Sequence, residues 1–176
     1  MSYLSGFLST ILFLLCTLGQ VHAENALDIK KIKRRPTYVY ITVDDGPIYG
    51  TKRLVKIAES LQTGISMLLV GEQIIHSEEH RAWLKLARSS GYVFPGNHSF
   101  SHAHDHYHRF YLDPENVLRD FERSQSVLGL TSKVARLPGR NMWEFEGYSK
   151  YDISNGITSA QLFYKNGYEV IGWDVE

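Results

Sequence analysis

The sequence predicts an α/β protein whose strands form a parallel sheet or barrel. Short apolar runs typical of buried strands alternate with segments whose apolar residues recur at helical spacing. Polar residues follow the carboxyl ends of several predicted strands, which is where α/β folds assemble their sites. The length of 176 residues favours one domain of ordinary size.

The first half of the chain supplies two strands, each followed by a helix. Residues 37–43 (TYVYITV) are β-branched or aromatic without polar alternation, which predicts a strand buried on both faces. Apolar residues at helical spacing over 54–61 predict a helix, and the apolar run 65–70 predicts the second strand. Ser77, followed by two glutamates, predicts the N-cap of a helix that ends near Gly91.

The second half of the chain continues the same alternation. A short strand is predicted at 92–94, and an aspartate followed by proline begins a helix over 113–128. Residues 133–135 are the next predicted strand. A helix over 158–166 ends before a glycine, and the strand 168–173 follows it. Strands that alternate with helices in this way predict parallel pairing.

The amino terminus differs in composition from the rest of the chain. Residues 1–23 contain no Asp, Glu, Lys or Arg, and the apolar run 8–18 is shorter than the about 20 residues that a spanning helix needs. With Val21-His22-Ala23 after it, this run predicts a cleaved signal peptide and an exported protein, which is periplasmic, in the cell envelope or secreted. An uncleaved membrane anchor is the alternative. A lipid anchor on Cys16 is less favoured, because Leu15 stands where a small residue is expected.

Residues 24–36 are predicted to be a polar, basic linker, although contact with an anionic polymer is an alternative. Cleavage after residue 23 removes the single cysteine, which excludes disulfides and thiolate metal ligands from the mature chain. The whole chain balances 19 Lys+Arg against 19 Asp+Glu. Because a phosphate-binding surface normally shows as net positive charge, nucleic acid is not an expected partner.

Histidines and aspartates at two predicted strand ends suggest a metal site. His98 and His102 are four residues apart, so on one helical turn their rings would face the same way. Asp45 could complete a two-histidine, one-carboxylate set, and Asp44 would then accept a proton from the attacking water. A polar turn is the alternative for Asp44 and Asp45, which precede Gly46-Pro47.

Three motifs together resemble one family. Residues 42–47 (TVDDGP), 96–102 (GNHSFSH) and 136–138 (RLP) are similar, in order and separation, to motifs of the polysaccharide deacetylases. These form the NodB-homology domain of carbohydrate esterase family 4. The resemblance covers about residues 37–176 and implies a distorted (β/α) barrel.

The resemblance also implies an activity, the metal-dependent removal of N-acetyl groups from a polysaccharide. By the same resemblance, Asp44 is the catalytic base and Arg136 orients it. The implied ligands of a divalent ion, zinc or alternatively cobalt, are Asp45, His98 and His102. The implied substrate contacts are Pro138 and Trp173.

The chain also departs from the family pattern. Ala103 replaces a proline, and Gly139-Arg140 replaces an aromatic-glycine pair that forms one wall of the substrate groove. The sequence ends inside the fourth motif at Glu176, and no Leu-x-His motif supplies a general-acid histidine. We therefore expect a barrel incomplete at the C-terminus, with an inactive remnant or a metal- or glycan-binding pseudoenzyme as the alternative function.

Two further groups of residues have open interpretations. One of His104, His106 and His108 could be a substitute acid or a second metal ligand, or all three could lie in a solvated loop. The aromatic residues after the third motif could stack on sugar rings or pack within a loop. They are Trp143, Phe145, Tyr148 and Tyr151.

Overall fold

A seven-stranded sheet forms the centre of the protein. The computed structural model describes residues 38–75 and 77–176, so the predicted leader (1–23) and linker (24–36) lie outside the described residues. The strands are β1 Ile41–Gly46, β2 Ile65–Leu69, β3 Val93–Asn97, β4 Val134–Ala135, β5 Trp143–Phe145, β6 Tyr148–Lys150 and β7 Glu169–Val170. The α-helices are α1 Thr51–Leu61, α2 Glu78–Ser89, α3 Tyr107–Phe110, α4 Pro114–Leu128 and α5 Ile157–Lys165.

The sheet order is β1-β2-β3-β4-β7-β5-β6. The first five strands in this order pair in parallel, and helices connect most of them, which confirms the predicted α/β class. β5 and β6 form an antiparallel hairpin, and β5 joins β7 in antiparallel orientation. This hairpin was not predicted, because its strands have three residues each and carry little periodic signal.

The first strand differs from its prediction. β1 begins at Ile41 rather than at residue 37, and it continues through both aspartates to Gly46. The side chains of Tyr38, Val39 and Tyr40 are 72%, 83% and 85% exposed, so burial on both faces was wrong for this stretch. The physical reason is position: among the described strands, β1 pairs only with β2 and therefore lies at an edge of the sheet.

The predicted helix starts are confirmed by capping hydrogen bonds. The Ser77 hydroxyl accepts from the backbone N–H of His80 at 3.1 Å, and the Asp113 carboxylate accepts from that of Asn116 at 3.1 Å. Pro114 occupies the first turn of α4, where its missing N–H costs no hydrogen bond. The last helix and the last strand also occur, although β7 pairs over only two residues.

Two hydrophobic clusters hold the helices against the sheet. One contains Val55 of α1, Leu84 of α2 and Leu69 of β2. The other is centred on Phe121 of α4 and Phe163 of α5, whose rings meet edge to face with centroids 4.6 Å apart. Because both clusters bury strand residues, they fix the strand ends that carry the polar side chains. No helix among the described residues is long and apolar enough to cross a membrane.

Gly96 provides a test of packing in the sheet centre. A Cβ at this position would lie 2.6 Å from the Leu68 side chain and 3.2 Å from the Val134 carbonyl oxygen. We expect Gly96→Ala to lower the free energy of unfolding by about 1–3 kcal/mol, the usual cost of overpacking, in urea denaturation. Gly91→Ala is the matched control, since a Cβ there meets nothing within 4 Å. Equal stability of the two variants would contradict this packing.

Candidate metal and catalytic site

A β-bulge at the end of β1 directs two consecutive carboxylates into one cleft. The register with β2 shifts between Val43 and Gly46, so the strand contains one extra residue there. Side chains of successive strand residues normally point to opposite faces, yet Asp44 and Asp45 both line the cleft. Asp45 has a positive φ of 67°, which is the local conformation that accomplishes this.

Two polar side chains, Asn97 of β3 and Asp120 of α4, connect the loop that follows β3 to α4. Asn97 is fully buried, and its amide donates to the Phe121 carbonyl at 2.9 Å while its oxygen accepts from the Ser99 N–H at 3.1 Å. Asp120 accepts from the N–H groups of Phe100 and Ser101 at 2.7 and 3.2 Å. These bonds fix the backbone between the two histidines.

His98 and His102 do not lie on one helical turn, so that part of the prediction was wrong. His98 follows β3 directly, and a 3₁₀ turn begins at His102. Residues 102–105 all have positive φ, between 44° and 59°, an uncommon run for residues other than glycine. The Ser99 hydroxyl accepts from the His102 N–H at 2.8 Å. The irregular loop, rather than a helix, brings the two rings together.

Asp45, His98 and His102 offer ligand atoms that fit one metal ion. Their nearest ligand atoms lie within 4.8 Å of one another. The Asp45 Oδ1 is 3.1 Å from His102 Nε2 and 3.6 Å from His98 Nε2. Two ligands bound at about 2.0–2.1 Å to one tetrahedral ion lie about 3.3–3.4 Å apart, so the spacing suits a shared ion. Two imidazoles and one carboxylate also leave further coordination positions open.

The backbone sets the tautomer of His98. Its Nδ1 lies 2.8 Å from the Arg136 carbonyl oxygen, which can only accept a hydrogen bond. Nδ1 therefore carries the proton, and the Nε2 lone pair of the neutral ring faces Asp45. A second hydrogen bond of this kind orients most metal-binding histidines in proteins.

Arg136 ties Asp44 to the ends of other strands. The guanidinium group, with a side chain only 4% exposed, donates from Nη1 to Asp44 at 2.8 Å and to the Thr42 hydroxyl at 2.9 Å. Its Nη2 donates to the Gly172 carbonyl at 2.6 Å. The other carboxylate oxygen of Asp44 is 3.8 Å from Nε2 of His98, one of the three candidate metal ligands. Asp44 is thus oriented beside the candidate metal position without occupying it.

A hydrogen bond and burial shift the pKa values of three groups in the site. The hydrogen bond from His102 lowers the pKa of Asp45 below its usual value, and the bond to Asp45 raises the pKa of His102. Asp105, whose Oδ1 is 3.6 Å from His102 Nδ1, adds to that rise. Burial lowers the pKa of His98, because the charged ring would be desolvated. His98 is therefore ready to act as a neutral ligand.

An open cleft of about 670 Å³ is lined by the five predicted catalytic and metal-binding residues, which are Asp44, Asp45, His98, His102 and Arg136. Trp173, one of the two predicted substrate contacts, also lines it. Pro138, the other predicted substrate contact, is buried and does not line the cleft. Its two neighbours in the chain, Leu137 and Gly139, do line it. The Pro138 carbonyl instead accepts from the Tyr111 hydroxyl at 2.8 Å. The catalytic roles of Asp44 and Arg136, and the substrate contacts, stay predictions.

Tyr107 lines the cleft, although the sequence did not mark it as a site residue. A Cβ on Gly139 would lie 3.1–3.2 Å from its ring carbons, so the ring covers the glycine. Its hydroxyl donates to Asp105 at 3.0 Å, and its ring meets that of His102 edge to face. Gly139 of the third motif was the sequence signal that could have indicated such a contact. A residue without a side chain leaves space for an aromatic ring from another part of the chain.

The three remaining loop histidines do not line the cleft. His104, His106 and His108 are exposed, and His104 contacts Glu72 at 3.0 Å. The position of all three favours the solvated-loop interpretation.

The aromatic residues of the hairpin contact one another. Phe145 stacks on Tyr148 with ring centroids 5.2 Å apart, and Trp143 meets both rings edge to face. The Tyr151 hydroxyl donates to the Glu144 carboxylate. These contacts favour packing within the hairpin over a platform for sugars.

Comparisons with known proteins agree on one family and one fold. The family model described as "Polysaccharide deacetylase" matches residues 31–141, more than half of the chain. This match contains the first two motifs and the start of the third. No curated protein sequence matches the chain.

Solved structures share the fold at low sequence identity. A CE4 esterase from Streptococcus mutans is 18% identical with a TM-score of 0.60, and the match covers 77% of this chain and 55% of that one. A family 4 carbohydrate esterase from Streptomyces lividans, solved with acetate, is 22% identical with a TM-score of 0.57, covering 78% and 63%. A Bacillus cereus polysaccharide deacetylase is 18% identical with a TM-score of 0.54, covering 77% and 59%. The matches span 55–63% of these three chains.

The raised pKa of His102 predicts how binding of a divalent ion to these three candidate ligands would depend on pH. Binding requires a neutral imidazole, so affinity for added Zn²⁺, used as the probe ion, should weaken as the pH falls through the pKa of His102, which lies above its usual value of about 6.5. His98, with its lowered pKa, stays neutral over this range. Asp105→Asn should move the midpoint to lower pH in calorimetric titrations. Glu115→Gln, an exposed charge on α4, is the control. The same midpoint in Asp105→Asn and the unsubstituted chain would contradict this assignment.

Proposed function

The chain belongs to the polysaccharide deacetylase family, and from this premise we propose that it is a metal-dependent hydrolase that removes N-acetyl groups from a polysaccharide. One observation carries the proposal: three metal-ligand atoms lie within 4.8 Å of one another, beside a second carboxylate that a buried arginine holds. Amide hydrolysis needs an electrophile for the carbonyl and a base for the water. This cluster provides a place for the first and a residue for the second.

Zinc is the proposed ion, with cobalt as an alternative, because two imidazoles and a carboxylate suit both. When bound, a divalent ion supplies Lewis-acid chemistry: it polarises a carbonyl and lowers the pKa of water. Asp45, His98 and His102 would hold it. The bond from His98 Nδ1 to the Arg136 carbonyl orients one of these ligands before any ion binds.

Asp44 is the proposed general base. One carboxylate oxygen accepts from Arg136 Nη1 at 2.8 Å, which leaves the other free to accept a proton from the attacking water. Arg136 keeps this carboxylate in position through that hydrogen bond. Positioned proton transfer of this kind contributes typically about 10²–10⁴-fold to rate.

The proposed substrate is an N-acetylated polysaccharide. The cleft is open and so can admit part of a long polymer, and aromatic residues lie at its edges. Trp173 and Tyr107 would present flat apolar surface to the sugar ring whose acetamide group reaches the ligand cluster. The ring of Tyr107 lies over Gly139 and would serve in place of the aromatic side chain that the third motif lacks.

Binding without efficient turnover is the second candidate function. Release of the product amine requires a proton on the sugar nitrogen. Among the described residues that line the cleft, the histidines are His98 and His102, which are the proposed ligands. The ligand cluster alone would still bind metal and the acetamide group of a glycan.

Export of the protein is also part of the proposal. Its support is the uncharged, apolar amino terminus ending in Val21-His22-Ala23, which lies outside the described residues. A polysaccharide of the cell envelope or the surroundings would be accessible to a protein exported in this way. Retention of the leader would instead leave the protein anchored to the membrane.

Asp44→Asn tests the proposed base, and turnover of the unsubstituted chain separates the two candidate functions. With zinc or cobalt present, we expect acetate release from N-acetylglucosamine oligomers to fall about 10²–10⁴-fold, because the base is lost. Zinc binding should persist, since Asp44 is not a ligand. His102→Ala, as the matched comparison, should lose both binding and turnover. Turnover that survives in Asp44→Asn would refute the assigned base, and an unsubstituted chain that binds zinc and oligomers but releases no acetate would favour the second candidate.

A further inference from the structure

The N–H of Ile171, the first residue after β7, still donates to the Ala135 carbonyl of β4 at 2.9 Å. Beyond Ile171, the described hydrogen bonds to the backbone come from side chains rather than from a neighbouring strand. β7 ends at Val170, yet the chain continues to Trp173 in the cleft wall. The Asn141 side chain contacts both backbone groups of Trp173: Oδ1 accepts from its N–H at 3.0 Å, and Nδ2 donates to its carbonyl at 2.7 Å. One amide thus makes the two hydrogen bonds that a paired strand residue would make.

Asn141 is itself held in place. Its backbone N–H donates to Asp152 Oδ2 at 2.8 Å, and the other oxygen of that carboxylate accepts from the Ser154 N–H at 2.8 Å. A Cβ on Gly172 would lie only 2.1 Å from Asn141 Oδ1 and 2.5 Å from Trp143 Nε1. The close approach of Asn141 to this segment therefore depends on a glycine at position 172.

The same segment supplies acceptors to Arg136. Arg136 Nη2 donates to the Gly172 carbonyl at 2.6 Å, and Nε donates to the Ile171 carbonyl at 3.4 Å. The opposite side of the guanidinium donates to Asp44. The position of the Gly172 carbonyl consequently restricts the orientation of the group that holds the proposed base. Trp173 follows Gly172 in the chain. The side-chain amide of Asn141, which binds Trp173, is therefore one peptide bond away from the Gly172 carbonyl that accepts from Arg136.

We propose that Asn141 is a positioning residue for the reaction, an inference that rests on the proposed function. Asn141 holds Trp173 in the cleft wall and, through the Gly172 carbonyl, keeps Arg136 aligned on Asp44. Asn141 does not itself line the cleft, and its described hydrogen bonds are not to Asp45, His98 or His102, so its effect is indirect. Removal of the Asn141 side-chain amide should increase the mobility of Trp173 and of the Arg136–Asp44 pair. Asp45, His98 and His102 should stay in place.

The first test follows Trp173 directly and requires no turnover. The chain has three tryptophans, so the emission of Trp173 is obtained by subtracting that of the matching Trp173→Phe variant. Asn141→Ala should shift the Trp173 emission to the red and increase its quenching by acrylamide. Asn155→Ala is the matched control, since Asn155 is likewise half-buried with two side-chain hydrogen bonds, to Arg140 and to the His108 carbonyl.

The second test measures turnover and zinc binding in the same variants. Asn141→Ala should lower kcat for acetate release about 10²-fold, the effect expected of about 1 Å of misplacement, with zinc affinity unchanged. Asn141→Asp keeps the acceptor for the Trp173 N–H but sets an oxygen against its carbonyl, so it should lose activity as well. Asn155→Ala should keep the kcat of the unsubstituted chain. A merely structural role would lower zinc affinity and kcat together.

The outcomes separate this inference from the proposed function. Unchanged Trp173 emission and quenching in Asn141→Ala would overturn the inference, whatever the turnover. An Asn141→Ala variant with full kcat would also overturn it. If the unsubstituted chain released no acetate while Asn141→Ala still exposed Trp173, the proposed function would fail and the hold of Asn141 on the cleft wall would stand.

Discussion

The buried guanidinium of Arg136 is the interaction on which the site depends. Its side chain is 4% exposed, and a buried charge is tolerated only when it is paired and hydrogen-bonded. Asp44 neutralises it from β1, while two carbonyls beyond β7 accept from Nη2 and Nε. Because Arg136 follows β4, one side chain joins the ends of three strands. Its own carbonyl also accepts from His98, which extends the connection to the end of β3.

The ligand cluster depends on irregular backbone built onto regular strands. A bulge in β1 directs Asp44 and Asp45 into the same cleft, and a run of positive φ values at 102–105 brings His102 next to His98. Such conformations are unfavourable for most residues and persist only where the surroundings hold them. Asn97 and Asp120 provide that support for the histidine loop, through hydrogen bonds to its backbone and to α4. The scaffold therefore prepares the site before a ligand binds.

Much of the fold and of the candidate site was predictable from local patterns. The helix starts at Ser77 and Asp113 followed from capping chemistry, which acts over three residues and is visible in the sequence. The order and spacing of the motifs predicted that one site contains Asp44, Asp45, His98, His102 and Arg136, and all five line the same cleft. Burial of the first strand was not predictable, since it depends on which strands lie beside it. Tyr107 and Asn141 were missed for a similar reason: their partners, Gly139 and Trp173, are 32 residues away in each case.

By itself, the sequence determined the α/β alternation and the family, and it predicted candidate ligands of the imidazole and carboxylate types. These features depend on residue type, periodicity and spacing along the chain. Only the tertiary structure decided the geometry. It showed that a bulge and a left-handed loop, rather than a helical turn, bring the ligands together. It also showed Tyr107 covering Gly139, and Asn141 holding Trp173 where strand pairing has ended. Such contacts join residues distant in the chain, and they form only when the buried clusters have set the strand ends in place.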